Sequence, residues 1–276
     1  MKLIDSHAHL DFEQFRDDFD DVLARASESG VEKIINIGAN LERSHASITL
    51  AEKYANVFAV VGIHPEEAVG VKFETVHDDL MALIKSSDKV VGVGETGLDY
   101  YNAGGSNLRG ESRGNGLLEA EIKEHQKKLF RIHVEIAKEL ELPLVIHIRN
   151  GDDNDAVNDA YELLVDSGYH RGVIHCFTLD YAWAKRFTDL GFNLGFTGIV
   201  TYKNSEEIQA AIESTSIERI LIETDCPFLA PQKYRGQRNE PSYVTEVAKK
   251  VAEIKNLTLE NVAKQTTINV EKLFNI

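Results

Sequence analysis

The chain has 276 residues, 43% of them apolar, with 30 Lys and Arg against 45 Asp and Glu. The resulting formal net charge of −15 argues against a broad nucleic-acid-binding face, which would be basic, although bound cations and a few arginines can reverse the sign inside a cleft. No apolar run reaches membrane-spanning length, the start Met1-Lys2-Leu3-Ile4-Asp5 carries no apolar leader or twin arginine, and the two cysteines, Cys176 and Cys226, read as reduced thiols. These features predict a cytoplasmic protein with no membrane partner, and no obligate protein partner is evident.

Short β-branched runs alternate with amphipathic segments along the whole length. Residues 2–8 predict a first strand, and 17–29 a helix with Phe19, Val22, Leu23 and Ala26 on one face and Gly30 as its stop. Strands follow at 31–37 and 57–63, the latter ending at His64-Pro65, with helices at 43–54 and 73–85. A fourth strand at 90–93 ends at Glu95. Residues 102–116, rich in Gly, Asn, Ser and Arg, predict a long loop. A long helix at 119–140 leads to strands at 143–148, 172–177, 192–197 and 219–224, separated by helices near 155–166, 181–190 and 206–213. Helices near 243–254 and 259–274 close the chain. Eight near-continuous apolar strands, each followed by helical sequence, predict an α/β fold, a (β/α)8 TIM barrel in one domain spanning 1–276, with its active site at the C-terminal face of the strands.

The polar residues gather at those strand ends. His7 and His9 are one residue apart on an extended segment, so both imidazoles face the same way and form half a site for a divalent metal. Glu95, His147, His175 and Asp225 lie at the ends of strands four, five, six and eight. Strand ends are polar anyway because loops begin there, but nothing bland selects His, Glu and Asp so consistently. One division of the set gives His7, His9, Glu95 and Asp225 to one metal and Glu95, His147 and His175 to a second, with Glu95 as the bridge. Two cations so held would clamp the attacking and leaving oxygens of a displacement and supply hydroxide at neutral pH, with Asp225 and Glu95 as the catalytic carboxylates. Gly92-Val93-Gly94-Glu95-Thr96-Gly97 also matches the dinucleotide pattern G-x-G-x-x-G, but no helix N-terminus follows, so the glycines instead predict relief of crowding beside Glu95.

Lys233, Tyr234, Arg235, Gly236, Gln237 and Arg238 form a local positive segment after strand eight. Barrels often bind phosphate with loops at this position, and arginine forks match phosphate oxygens. The bland reading, a solvated loop or an ion pair to Glu240, weighs equally on composition. Arg235 and Arg238, with Lys203 after strand seven, Arg149 beside His147 and His64 at the end of strand three, are the expected substrate contacts. Asp99 and Tyr100 are expected only to line the mouth. His45, His77, His125, His133 and His170 lack partners at ligand spacing, and Trp183, the one tryptophan, predicts helix packing.

These residues sit in motifs that resemble the TatD family of metal-dependent deoxyribonucleases: Asp5-Ser6-His7-Ala8-His9-Leu10, Gly62-Ile63-His64-Pro65, Gly94-Glu95-Thr96-Gly97-Leu98-Asp99-Tyr100, Leu142-Pro143-Leu144-Val145-Ile146-His147, His175-Cys176-Phe177, Glu223-Thr224-Asp225-Cys226-Pro227-Phe228 and Tyr234-Arg235-Gly236-Gln237-Arg238. The resemblance covers nearly the whole chain. It implies metal ligands at His7, His9, Glu95, His147, His175 and Asp225 and hydrolysis of DNA phosphodiesters, as an exonuclease or on single-stranded ends. Two divalent ions are implied, Mg²⁺ first, with Zn²⁺ or Mn²⁺ as alternatives. The chain departs from the family pattern at Ile148-Arg149-Asn150, at Thr178-Leu179 and in the length of the 102–116 loop. These departures all border the mouth and bear on substrate choice rather than on ligands. The competing function is amide or ester hydrolysis, such as D-aminoacyl-tRNA deacylation. A non-catalytic scaffold is the third reading.

Overall fold

The computed structural model describes residues 1–101, 119–151 and 155–276; the expected 102–116 loop lies outside them. Eight parallel strands pair in sequence order: β1 (Leu3–Ala8), β2 (Val31–Ile37), β3 (Val57–Val61), β4 (Val90–Asp99), β5 (Leu144–Arg149), β6 (Gly172–Ile174), β7 (Asn193–Phe196) and β8 (Ile220–Ile222). Helices α1 (Phe19–Glu28), α2 (Leu41–Lys53), α3 (Val76–Ile84), α4 (Glu119–Leu140), α5 (Asp155–Ser167), α6 (Tyr181–Leu190) and α7 (Glu206–Ser214) lie between them, and α8 (Val244–Lys255) and α9 (Leu259–Phe274) end the chain. The fold is the expected TIM barrel. Its seam closes just past β8, where the Asp225 N–H donates to the His7 carbonyl and the His9 N–H to the Cys226 carbonyl, both at 2.9 Å. Closure therefore places the first and last polar motifs side by side.

The period of two along each strand sorts the core. Leu144 and Ile146 of β5, and Ile220 and Ile222 of β8, pack outward among helix side chains such as Leu129, Phe130 and Ala137. Ile4, Ile35, Val60, Val91, Val145, Val173 and Leu221, from seven strands, meet inside the barrel, where Val270, Leu273 and Phe274 of α9 pack against them. Each fully buried side chain of this size contributes about 1.5–3 kcal/mol. The apolar plug fills one end of the interior, so the polar ends of the strands are left to build the other.

β4 departs from expectation. It runs to Asp99 with every residue buried, so Glu95 lies inside the strand rather than at its end. The register against β5 slips there: Gly94 pairs with Val145 and Thr96 with Ile146, leaving Glu95 as the extra residue of a bulge. Glycine is required around it. A Cβ on Gly62 would lie 2.4 Å from the backbone of Gly94, and Gly94, at φ +146°, would set one 2.5 Å from the Val145 carbonyl.

Arg238 is a second departure. Its guanidinium forks onto both Asp18 oxygens at 2.7 Å, reaches the Gln14 carbonyl and lies over Phe15. It joins the segment after β8 to the start of α1 and is not offered to a substrate, which corrects that expectation. Arg25 completes the joint, bonding both oxygens of buried Glu240 at 3.0 Å and Asp18 at 3.1 Å. Arg238 first, with Arg25 beside it, holds Asp18 down at about 2. A depressed carboxylate stabilises the fold above its ordinary value of 3.8 and loses that contribution as pH falls toward about 2. Arg25→Ala removes the hydrogen-bonded cation of Glu240 and leaves its carboxylate only Arg238 as a cation, at 3.9 Å. Denaturant unfolding is expected to show a loss of about 2 kcal/mol; a loss under about 0.5 kcal/mol contradicts this role.

Candidate metal centre

Six side chains from five strand ends converge on Glu95. The Nε2 atoms of His7 and His9 are 3.2 Å apart, as two imidazoles on one face of a strand should be. Glu95 Oε2 lies 3.6 Å from His7 Nε2 and 3.7 Å from His9 Nε2. Its other oxygen, Oε1, lies 2.8 Å from His175 Nε2 and 3.1 Å from His147 Nδ1. Asp225 Oδ1 is 3.5 Å from His7 Nε2 and 3.4 Å from His9 Nε2. One carboxylate thus faces two groups of donors, one through each oxygen.

The surroundings set which ring nitrogen is free. His9 Nδ1 is 3.0 Å from the Ile37 carbonyl, so Nδ1 carries the proton and the Nε2 lone pair points at Glu95 and Asp225. His147 Nε2 is 3.2 Å from Asp99 Oδ2, which leaves Nδ1 toward Glu95. Asp99 is itself clamped: its N–H donates to Gln126 Oε1 at 2.8 Å and its carbonyl accepts from Gln126 Nε2 at 2.9 Å. His64 differs. Its Nδ1 accepts from the Glu66 N–H, so Nε2 holds a proton, directed at Glu95 Oε1 from 3.6 Å. Burial pushes His64 down to about 3, which keeps the ring neutral. His64 is therefore a hydrogen-bond donor in the mouth, although His64, Glu95 and His147 stand close enough together to hold an ion.

Two further carboxylates serve the cluster: Asp99, expected only to line the mouth, and Glu223, not singled out in the sequence. Asp99 is buried on His147 and does more than line the mouth, whereas Tyr100 bonds Asp159 and packs. Glu223 is fully buried, accepts from the Cys176 N–H and the Ser6 hydroxyl, and lies 3.4 Å from His175 Nδ1. That contact has ion-pair length but not hydrogen-bond alignment, so His175 Nδ1 keeps no hydrogen-bond partner. The signal was available: Glu223 and Asp225 are two apart, the spacing that puts both on one side of an extended segment.

The model of the family described as TatD related DNase matches residues 4–275. An uncharacterized metal-dependent hydrolase, YabD of Bacillus subtilis, is 36% identical, with 99% of each chain covered. YcfH of Escherichia coli, of the same description, is 35% identical over all of this chain and 97% of its own. The chain belongs to the TatD family of metal-dependent hydrolases. Among solved structures, the TatD homologue YjjV from E. coli superposes with a TM-score of 0.86 at 28% identity, covering 99% of this chain and 98% of the other. A TatD family hydrolase from Entamoeba histolytica gives 0.82 at 26%, with 99% and 98% covered.

In this TatD-family barrel the remaining candidate contacts lie at the same face, Arg149 as the last residue of β5 and Arg235 and Lys203 on loops. Arg235 is exposed over the Tyr202 ring at 4.5 Å, Arg149 is exposed over Tyr101 at 3.9 Å, and Lys203 is exposed after β7. Lys233 pairs with Glu246 at 3.5 Å. His45, His77, His125 and His170 stand on outer helices or loops, and His133 is structural, its Nε2 accepting from the Ile63 N–H. Trp183 packs on Tyr161 and Phe187 as expected. Cys176 and Cys226 are both free thiols. No helix of the described residues is long and apolar enough to cross a membrane.

The donor set fits divalent cations. Buried imidazoles ordinarily lose their protons, yet against burial His9 is raised by Asp225, His175 by Glu95 and Glu223, and His147 is pushed up to about 9 by Asp99 and Glu95. Glu95 falls well below the usual carboxylate range: burial opposes this, but His175, His64 and His147 outweigh it. The cluster demands positive charge, and protons and metal ions compete for it. Zn²⁺ affinity of metal-depleted protein is therefore expected to rise about tenfold per pH unit for each displaced proton, from neutral pH until His147 is deprotonated near 9. Chelator competition measures this, and a flat profile contradicts it. Asp99→Asn is expected to weaken metal binding by about 10- to 100-fold, with little change in the melting of metal-free protein. Unchanged affinity would remove Asp99 from the site.

Proposed function

We propose that this TatD-family chain hydrolyses DNA phosphodiester bonds at single-stranded ends, in the cytoplasm, with two divalent cations. Mg²⁺ ranks first, and mixed imidazole and carboxylate donors also suit Zn²⁺ or Mn²⁺. The observation that carries this reading is the division of Glu95, with one oxygen toward His7 and His9 and the other toward His147 and His175. His7, His9, Glu95 and Asp225 would hold one cation and Glu95, His147 and His175 the other. When bound, such a pair supplies Lewis acidity at phosphoryl oxygens and lowers the pKa of water.

The protein's own groups supply the rest. Asp225 is the most accessible carboxylate of the cluster, its side chain 14% exposed against 5% for Glu95, 2% for Asp99 and none for Glu223. Burial would raise it, but His9, His7 and His175 outweigh burial and keep it ionised, so it accepts the proton of the attacking water. The His64 Nε2–H donates to a phosphoryl oxygen. Exposed Arg235, Lys203 and Arg149 hold the strand backbone in a chain whose net charge otherwise repels it. The family model's description as a DNase supports this reading.

A metal-dependence panel tests it, with labelled single-stranded DNA, duplex DNA and an aminoacyl ester as substrates. Metal-dependent cleavage of single strands is expected. Turnover of the ester alone replaces the nuclease reading with a deacylase.

A further inference from the structure

Phe228 is the one exposed phenylalanine of the twelve in the chain, at 45%, and it stands beside the metal cluster. It follows Asp225 by three residues, and its ring centroid lies 6.5 Å from that of His9. Phe12, on the loop after β1, meets it edge to face at 5.4 Å and 89°, and touches the His9 ring at 5.3 Å. Phe12 is held in turn by the Arg43 guanidinium 3.9 Å above its face, which Asp11 anchors at 2.8 Å. The Phe228 backbone is fixed at both ends: its N–H donates to the Asp225 carbonyl, and its carbonyl accepts from Asn239 Nδ2. Phe228 thus packs by one side on Phe12 and keeps nearly half of its surface open to solvent beside the catalytic cluster, on a fixed backbone.

We propose that Phe228, braced by Phe12, is the platform on which an unpaired nucleobase next to the scissile phosphate stacks. The inference rests on the phosphodiesterase reading and adds the group that reads single-strandedness. Phosphate contacts cannot tell a base from an abasic sugar, whereas a π-face can, and in a duplex that face is covered by neighbouring bases. Phe228 is a specificity residue. Its ring touches the base and takes no part in proton transfer or metal binding.

The test compares short single-stranded oligonucleotides that are intact with ones abasic on one side or the other of the cleaved bond. Wild-type kcat/KM is expected to favour the intact strand by about tenfold for the base that stacks, chiefly through KM. In Phe228→Ala the ratio falls to about one, and in Phe228→Trp it is kept. Phe228→Trp also gives a readout free of turnover: its fluorescence is quenched saturably by an intact trinucleotide and not by an abasic one. An intact-to-abasic ratio that is the same in wild type and Phe228→Ala overturns the platform and leaves phosphodiester hydrolysis standing. Failure of the wild type to cleave any DNA overturns that reading, and the platform with it.

Discussion

Glu95→Ala protein is expected to fold and, in the hydrolysis of DNA proposed for this chain, to be at least about a thousandfold slower than wild type. The magnitude follows from position. Glu95 is buried, it is the only carboxylate among the described residues that lies within 4 Å of all five rings, those of His7, His9, His64, His147 and His175, and its charge keeps the ring cluster together. Removing it takes away the shared anion, so the effect reaches both groups of donors at once. Metal content should fall along with rate. Glu95→Gln separates charge from shape: it preserves the volume on the bulge but offers one neutral oxygen and an amide, and it is expected to lose nearly as much activity. Either variant working within tenfold of wild type would mean that the reaction does not pass through this cluster.

The second large effect is expected at Asp225. Asp225→Asn keeps the size and one oxygen acceptor but cannot take a proton at neutral pH. The expected loss in kcat is about 10²- to 10⁴-fold, with metal content reduced less than in the Glu95 variants, since His7, His9 and Glu95 remain. Asp225 sits at φ +57°, and its N–H closes the barrel onto the His7 carbonyl, so asparagine, which tolerates that backbone region, is the substitution that leaves the seam intact. A variant with wild-type kcat would assign the proton transfer elsewhere.

Much of this architecture was legible in the residues. Eight β-branched runs, each followed by an amphipathic segment, are the direct imprint of strands buried on both faces. His7 and His9 announce their shared direction by spacing alone. Glu95 was read correctly as facing the mouth but wrongly as ending its strand, because hydrophobic periodicity reports which side chains are buried and not which ladder partners they find. The slip against β5 that makes Glu95 the extra residue depends on Gly62 meeting Gly94 across strands. Arg238 illustrates a different gap. Its partner Asp18 is 220 residues away, and a cation in a loop carries no mark of whether the fold will bring it a carboxylate or leave it for a substrate. Asp99, expected only to line the mouth, shows a related gap: its contact with His147 follows from no spacing in the sequence, only from a position beside the ring once the barrel has closed.

The proposed chemistry depends on one carboxylate of a bulged strand being shared by two cations. Anomalous diffraction from crystals soaked in Mn²⁺ tests it most directly. The expected map holds two peaks, one on the His7 and His9 side of Glu95 and one on the His147 and His175 side. A single peak, or two that leave Glu95 without contact to either, would contradict it.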